Sequence, residues 1–184
     1  MTDLDNLIAN YSTHVANPWA SNLAPAQRCW MIVYPPTDER RLRARVQAFE
    51  NATHKASKSW QLVDITDEPG RWIREHPFAN RYFAKPEVLS TAALQEFRAQ
   101  LVTRIREQAT NAHDPNGVVA VLGAGSLFGI TETSWLLNEL APHVAGRLAV
   151  FFPGEYRNNN YRLLEAREGW NYLALPITTS EDQA

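Results

Sequence analysis

At 184 residues the chain is long enough to bury a core and short enough to be one domain. Hydrophobic residues make up 45% and charged residues 21%, which excludes the composition of a disordered chain. A formal net charge of −2 excludes the basic excess of a dominant non-specific nucleic-acid binder, though not a local basic patch.

The first apolar periodicity lies at Leu4, Leu7, Ile8, Tyr11 and Val15, which predicts a helix over 4–15. Residues 17–28 then read as a loop. CWMIVY (29–34) is an unbroken apolar run, as in a strand covered on both faces, and Pro35-Pro36 ends it. A helix follows with Leu42, Val46 and Phe49 inward. WQLVDI (60–65) predicts a short strand, and Pro69 suits the start of a helix through Trp72 and Ile73. FANRYFAKPE (78–87) reads as irregular. Ser90 or Thr91 opens the longest helix, expected to reach about His113. DPNG (114–117) is a turn. VVAVLG (118–123) is a second buried strand, a helix covers about 131–140, and Leu148–Phe152 forms another strand that Pro153-Gly154 should stop. A last strand is expected at 171–177 and a flexible tail at 178–184.

Strands that are apolar throughout, alternating with helices, predict an α/β fold. The expectation is a single domain over 1–184, with residues 1–27 as an N-terminal helix and loop. Its sheet is expected to be mostly parallel, with about five strands and helices on both faces, a Rossmann-like three-layer arrangement. One cysteine, Cys29, allows no disulfide within the chain. No run is long enough to span a membrane, and no basic-then-apolar leader opens the chain. A cytoplasmic protein is expected.

Few residues suggest chemistry. GAGSLFG (123–129) sits between a strand and a helix, where glycines expose backbone amides to anions. Gly123, Gly125, Ser126 and Gly129 are therefore a candidate nucleotide or phosphate loop. The spacing is not the dinucleotide fingerprint, no phosphate-loop lysine is present, and a tight turn needing glycine torsions is the plainer reading. The rim that the strand ends share carries Tyr34, Asp64, Gly123–Gly125 and Pro153–Tyr156, with Asp64 and Glu155 a conceivable carboxylate pair. The five histidines lie in separate segments without ligand spacing, so no metal and no other cofactor is expected. G-x-S-x-G is absent, and no catalytic residue is assigned.

Two features suggest contacts instead. Three basic residues are lysines and fifteen are arginines. Arg40, Arg41, Arg43 and Arg45 fall on one helix, as a solvated face or as a patch for an acidic protein or nucleic-acid phosphate. FFPGEYRNNNYRLL (151–164) is too rich in tyrosine and arginine for a plain connection. Asn158, Asn159 and Asn160 tolerate left-handed torsions and can shape a compact loop. That loop would present Glu155, Tyr156, Arg157, Tyr161 and Arg162 to a partner. The alternative is a structural loop with Arg162 paired to Asp64 or Glu155.

VYPPTDERRLRARVQAFENATHKASKSWQLVDITD, WIREHPFANRYFAKPE, VLGAGSLFGITETSWLLNEL and GRLAVFFPGEYRNNNYRLLEAREGWNYLALPI together resemble the BrxB family. These are accessory proteins of BREX phage-defence systems of bacteria. The resemblance covers about 28–177. It rests on a first strand ending in tyrosine, a D-E-R helix, a tryptophan before a strand ending in aspartate, and a late F-P-G-x-Y. Some members carry a proline and an arginine in the segment matching Phe128–Thr133, where this chain has Gly129 and Glu132. The resemblance implies no established catalysis. It implies a subunit that works beside PglZ, an alkaline-phosphatase-like protein, and larger ATPase and methyltransferase components.

The reading is therefore a non-enzymatic binding subunit of a BREX-type system, contacting a PglZ-like partner through 153–162. The alternatives are a degenerate nucleotide-binding domain using 123–129 and a DNA-contacting module using the arginine helix.

Overall fold

A computed structural model describes residues 2–164 and 173–179. Five parallel strands build the sheet: β1 (Cys29–Tyr34), β2 (Ser59–Asp64), β3 (Gly117–Leu122), β4 (Arg147–Arg157) and β6 (Leu175–Ile177). Their order is β2-β3-β4-β1-β6, and β5 (Asn160–Leu163) pairs antiparallel with the far end of β4. The fold is α/β, mostly parallel, with helices on both faces. Residues 171 and 172 of the expected last strand, and 180–184 of the expected tail, lie outside the described residues.

Alternation sorts each buried strand between two cores. Cys29, Met31 and Val33 face one core with Val119, Val121, Val150 and Phe152. Trp30, Ile32 and Tyr34 face the other with Val118, Ala120, Ala149 and Phe151. Helices α1 (Asp3–Ala16) and α2 (Glu39–Lys55) cover the second core, where Tyr11, Phe49 and Phe151 meet edge to face at 5.1 Å spacings. Helices α3 (Glu68–Glu75), α4 (Ala79–Ala84), α5 (Thr91–Gln108) and α6 (Thr133–Leu140) belong to the other core.

Handedness explains the division. The chain moves from β1 outward to β2 through α2, then back through β3 to β4 through α3–α6. Crossovers of one hand that run in opposite directions must use opposite faces.

Three expected elements differ. FANRYFA forms the short helix α4, because Tyr82 turns inward and stacks on Trp72 at 6.3 Å. Helix α5 ends at Gln108 rather than His113, since Asn111 donates to Ser59 Oγ at 3.1 Å and is drawn toward β2. Pro153-Gly154 does not stop β4. Pairing with β3 ends at Val150, and the edge that Pro153 turns toward β5 accepts a bond from the Leu164 amide at 2.8 Å. The missing proline N–H therefore costs no bond to β3; what is absent is only the return bond to Leu164, at the end of the β5 ladder.

On the α3–α6 face a buried carboxylate joins two helices. Glu68 accepts from Arg104 at 2.8 Å and pairs with Arg71 at 3.3 Å, and Arg104 also reaches Glu75 at 2.7 Å.

Candidate functional site

The C-terminal ends of the strands form one rim, and the chain leaves it in two directions. From β2, β3 and β4 it enters the core covered by α3–α6; Tyr161 and Leu163 of β5 pack there. From β1 it enters α2 on the opposite face. Neighbouring strands β4 and β1 thus diverge, and a cleft opens between them, where open parallel sheets hold ligands. It encloses about 270 Å³ and is lined by Tyr34, Pro35, Gly154–Arg157, Thr178 and Thr179.

The hairpin β4–β5 forms one wall of this cleft. Arg157 faces Asn160 across a two-residue turn, Asn158-Asn159, with φ of 51° and 61°. Two successive left-handed residues make a type I′ turn, whose twist matches that of paired strands. Tyr156 donates to Asn159 Oδ1 at 3.0 Å and Asn160 donates to the Asn158 carbonyl at 3.2 Å, so the tip is braced by its own side chains. Gly154 is required below: a Cβ there would lie 2.0 Å from the Arg162 carbonyl oxygen.

The structure separates the tyrosines that the sequence reading groups together. Tyr161 is buried, meets Phe152 edge to face and Tyr156 at a tilt, and donates to the Ala174 carbonyl at 2.6 Å. Burial pushes its phenol far above the usual range. It anchors the hairpin and is not presented to a partner, which corrects that expectation. Tyr156 is half-buried, while Glu155, Arg157, Asn158, Asn159 and Arg162 are exposed. Glu155 stands opposite Arg162 in the ladder and pairs with Arg157 at 3.3 Å.

Asp64 is taken by other groups. Arg43 donates to Asp64 at 3.0 Å, to Glu39 at 2.7 Å and to the Thr66 hydroxyl at 2.6 Å. Tyr34 donates to Glu39 from the end of β1. This network ties β1, α2 and β2 together above the ends of β3 and β4. Partial burial pushes the Asp64 carboxyl up, but hydrogen bonds from Thr66 and the Arg43 charge outweigh it and hold the carboxyl below the usual range. Asp64 and Glu155 are each engaged by an arginine of its own.

Arg43 therefore serves the fold. Arg45 reaches Asp5 of α1 at 3.0 Å, and Arg41 pairs with Asp38 at 3.5 Å. Of the four arginines, only Arg40 makes no ion pair among the described residues. The helix is a mostly neutralised face, not a row of open charges.

The glycine loop is also occupied. Gly123 has φ +97°, and the next four residues form a tight 3-10 turn with Ala124 and Leu127 fully buried. The amides of Ser126, Phe128, Ile130 and Thr131 bond back within the loop, and the Ser126 hydroxyl lies 2.8 Å from the Gly123 carbonyl and 3.3 Å from that of Ile65. Helix α6 begins only at Thr133, beyond Gly129 at φ +74°. The helix that follows the loop therefore does not begin at the glycines, which removes half of the physics of a phosphate loop.

No group of three metal-ligating side chains gathers among the described residues, and Cys29 is buried. No helix among them is long and apolar enough to cross a membrane. Two features escape the sequence reading: strand β5 and the Arg43 network. Alternation of Tyr161 and Leu163 was the available signal for β5; Arg43 and Asp64, 21 residues apart, carry none. Comparison with known proteins gave no match to a family model, a curated protein or a solved structure.

Proposed function

We propose that the chain is a non-enzymatic binding subunit and that the β4–β5 hairpin, with the cleft beside it, receives the partner. The resemblance read from the sequence makes the setting a BREX-type phage-defence system and the partner a PglZ-like protein. One observation carries the contact surface. The tip is braced by its own hydrogen bonds, stands beyond the sheet at the point where β1 and β4 diverge, and exposes Glu155, Arg157 and Arg162. Preorganised loops lose little entropy on binding, and arginine is enriched where interfaces concentrate energy. The other candidates offer less, since the glycine loop bonds to itself and most of the α2 arginines are paired.

The test is co-expression with a PglZ-like protein encoded beside it, followed by size exclusion with light scattering. Co-elution at a defined mass supports the reading, and Arg157→Glu with Arg162→Glu should then dissolve the complex while both proteins stay folded. Separate elution of the wild-type proteins removes this partner. A complex that survives both reversals removes the hairpin from the contact.

A further inference from the structure

At the opposite, N-terminal edge of the sheet, under α1 and α2, cations gather around tryptophans. Arg147 opens β4 and is only 5% exposed. The register sets Cys29 beside Leu148, so Arg28 and Arg147, the preceding residues, stand side by side. Arg28 Nη1 donates to the Ala145 carbonyl at 2.9 Å. The Arg147 guanidinium lies 4.6 Å from the ring centre of Trp19 and 5.9 Å from that of Trp30. Lys58 Nζ lies 4.1 Å from the ring centre of Trp19.

None of these three cations takes part in an ion pair among the described residues. Asp114, whose charge acts on Lys58, is held by the Ser59 hydroxyl at 2.6 Å and the Asn116 amide at 2.9 Å. Arg147 donates only to neutral carbonyls, Gly146 at 3.2 Å and Ala20 at 3.4 Å, at or beyond the long end of the normal range. An arginine this buried is rare without an acidic partner. Ring faces and carbonyls offset part of its desolvation, but Arg28 beside it adds repulsion. Burial first, and then Arg28, push its pKa down. Two more donors, Arg28 Nε and Trp19 Nε1, are buried with no hydrogen-bond partner among the described residues. Native proteins pair the large majority of such donors.

We propose that this cluster binds a compact phosphate-class oxyanion, held by Arg28, Lys58 and Arg147. Guanidinium forks fit phosphate oxygens, and three positive charges suit a dianion better than a single carboxylate. Trp19, Arg28 and Lys58 are partly exposed, so the cluster reaches solvent. The site stands independently of the hairpin.

The experiment is thermal unfolding of the full chain titrated with inorganic phosphate, against sodium chloride at equal ionic strength, with glycerol 3-phosphate as a second arm. The expected result is a saturable rise of the midpoint in phosphate and none in chloride. Arg28→Gln should weaken phosphate binding by about tenfold or more. Arg147→Met should raise the midpoint in phosphate-free buffer, because it removes an unpaired buried charge, and should lose the phosphate response. Tighter binding of glycerol 3-phosphate assigns the site to a phosphate ester; equal or weaker binding assigns it to the free ion. A wild-type response to phosphate no larger than to chloride overturns the proposal. So does an Arg28→Gln variant that responds like wild type, which decides the matter if Arg147→Met does not fold.

Discussion

Gly123 and Thr66 touch backbone to backbone at the rim of the sheet. A Cβ at 123 would lie 2.5 Å from Thr66 Oγ1 and 2.7 Å from its amide nitrogen, at a φ of +97°. Thr66 cannot retreat, because its amide donates to Asp64 Oδ1 at 2.9 Å. Gly123→Ala is therefore expected to destabilise the protein by about 2–3 kcal/mol, combining left-handed strain with a displaced neighbour. Urea denaturation checks it. An unchanged midpoint would mean that this glycine is not kept for packing and would reopen the ligand reading of the loop.

The hairpin tip makes a sharper backbone prediction. Asn158→Val or Asn159→Val places a β-branched residue at positive φ and should cost about 1–2 kcal/mol. Asn159→Gly should stay within about 0.5 kcal/mol, since glycine accepts that torsion and only the bond from the Tyr156 hydroxyl is lost. Equal effects of valine and glycine would contradict the type I′ geometry. Chemical denaturation of the three variants suffices.

Glu68 and Arg104 should prove coupled. Arg104→Leu leaves the buried carboxylate with Arg71 alone, at an expected cost of about 2–3 kcal/mol. Glu68→Gln in that background should recover part of the loss. Strict additivity in the double-mutant cycle would show that the pair does not join α3 to α5.

Acid should weaken the Arg43 network. A carboxyl whose pKa is lowered by folding stabilises the protein above its unfolded value, near 4, and loses that contribution as pH falls through the folded value. Asp64 is such a group. Arg43→Met should thus be less stable than wild type above about pH 4, and the two should converge toward about pH 2. Asp5, held to about 2 by the Thr2 amide and hydroxyl and by Arg45, adds an acid slope common to both proteins. Thermal midpoints across this range that run parallel would show that Arg43 does not hold Asp64.

Strands β1, β3 and the first part of β4 are legible because each is an apolar run feeding two cores, so every position is constrained. The hairpin is not, because Pro153-Gly154 reads as punctuation only where a ladder needs the proline N–H. At that height β3 no longer pairs with β4, and the strand continues. Asparagines 158 and 159 are read correctly as left-handed, but Asn160 and Tyr161 already belong to a strand that alternation alone could reveal. The partners of Arg43 and the isolation of Arg147 depend on which strands lie side by side. An arginine just before an apolar run looks like any solvated strand start until the Trp19 loop and Trp30 close over it.

Strand β4 runs from the middle of the sheet to the hairpin tip without a break, and the part beyond β1 is about 13 Å long. Anything that holds the tip therefore pulls on the most deeply placed strand of the molecule, not on a peripheral loop. Amide exchange in β4, far from the contact, should slow when a partner is bound, and the centre of the sheet would report occupancy of its rim.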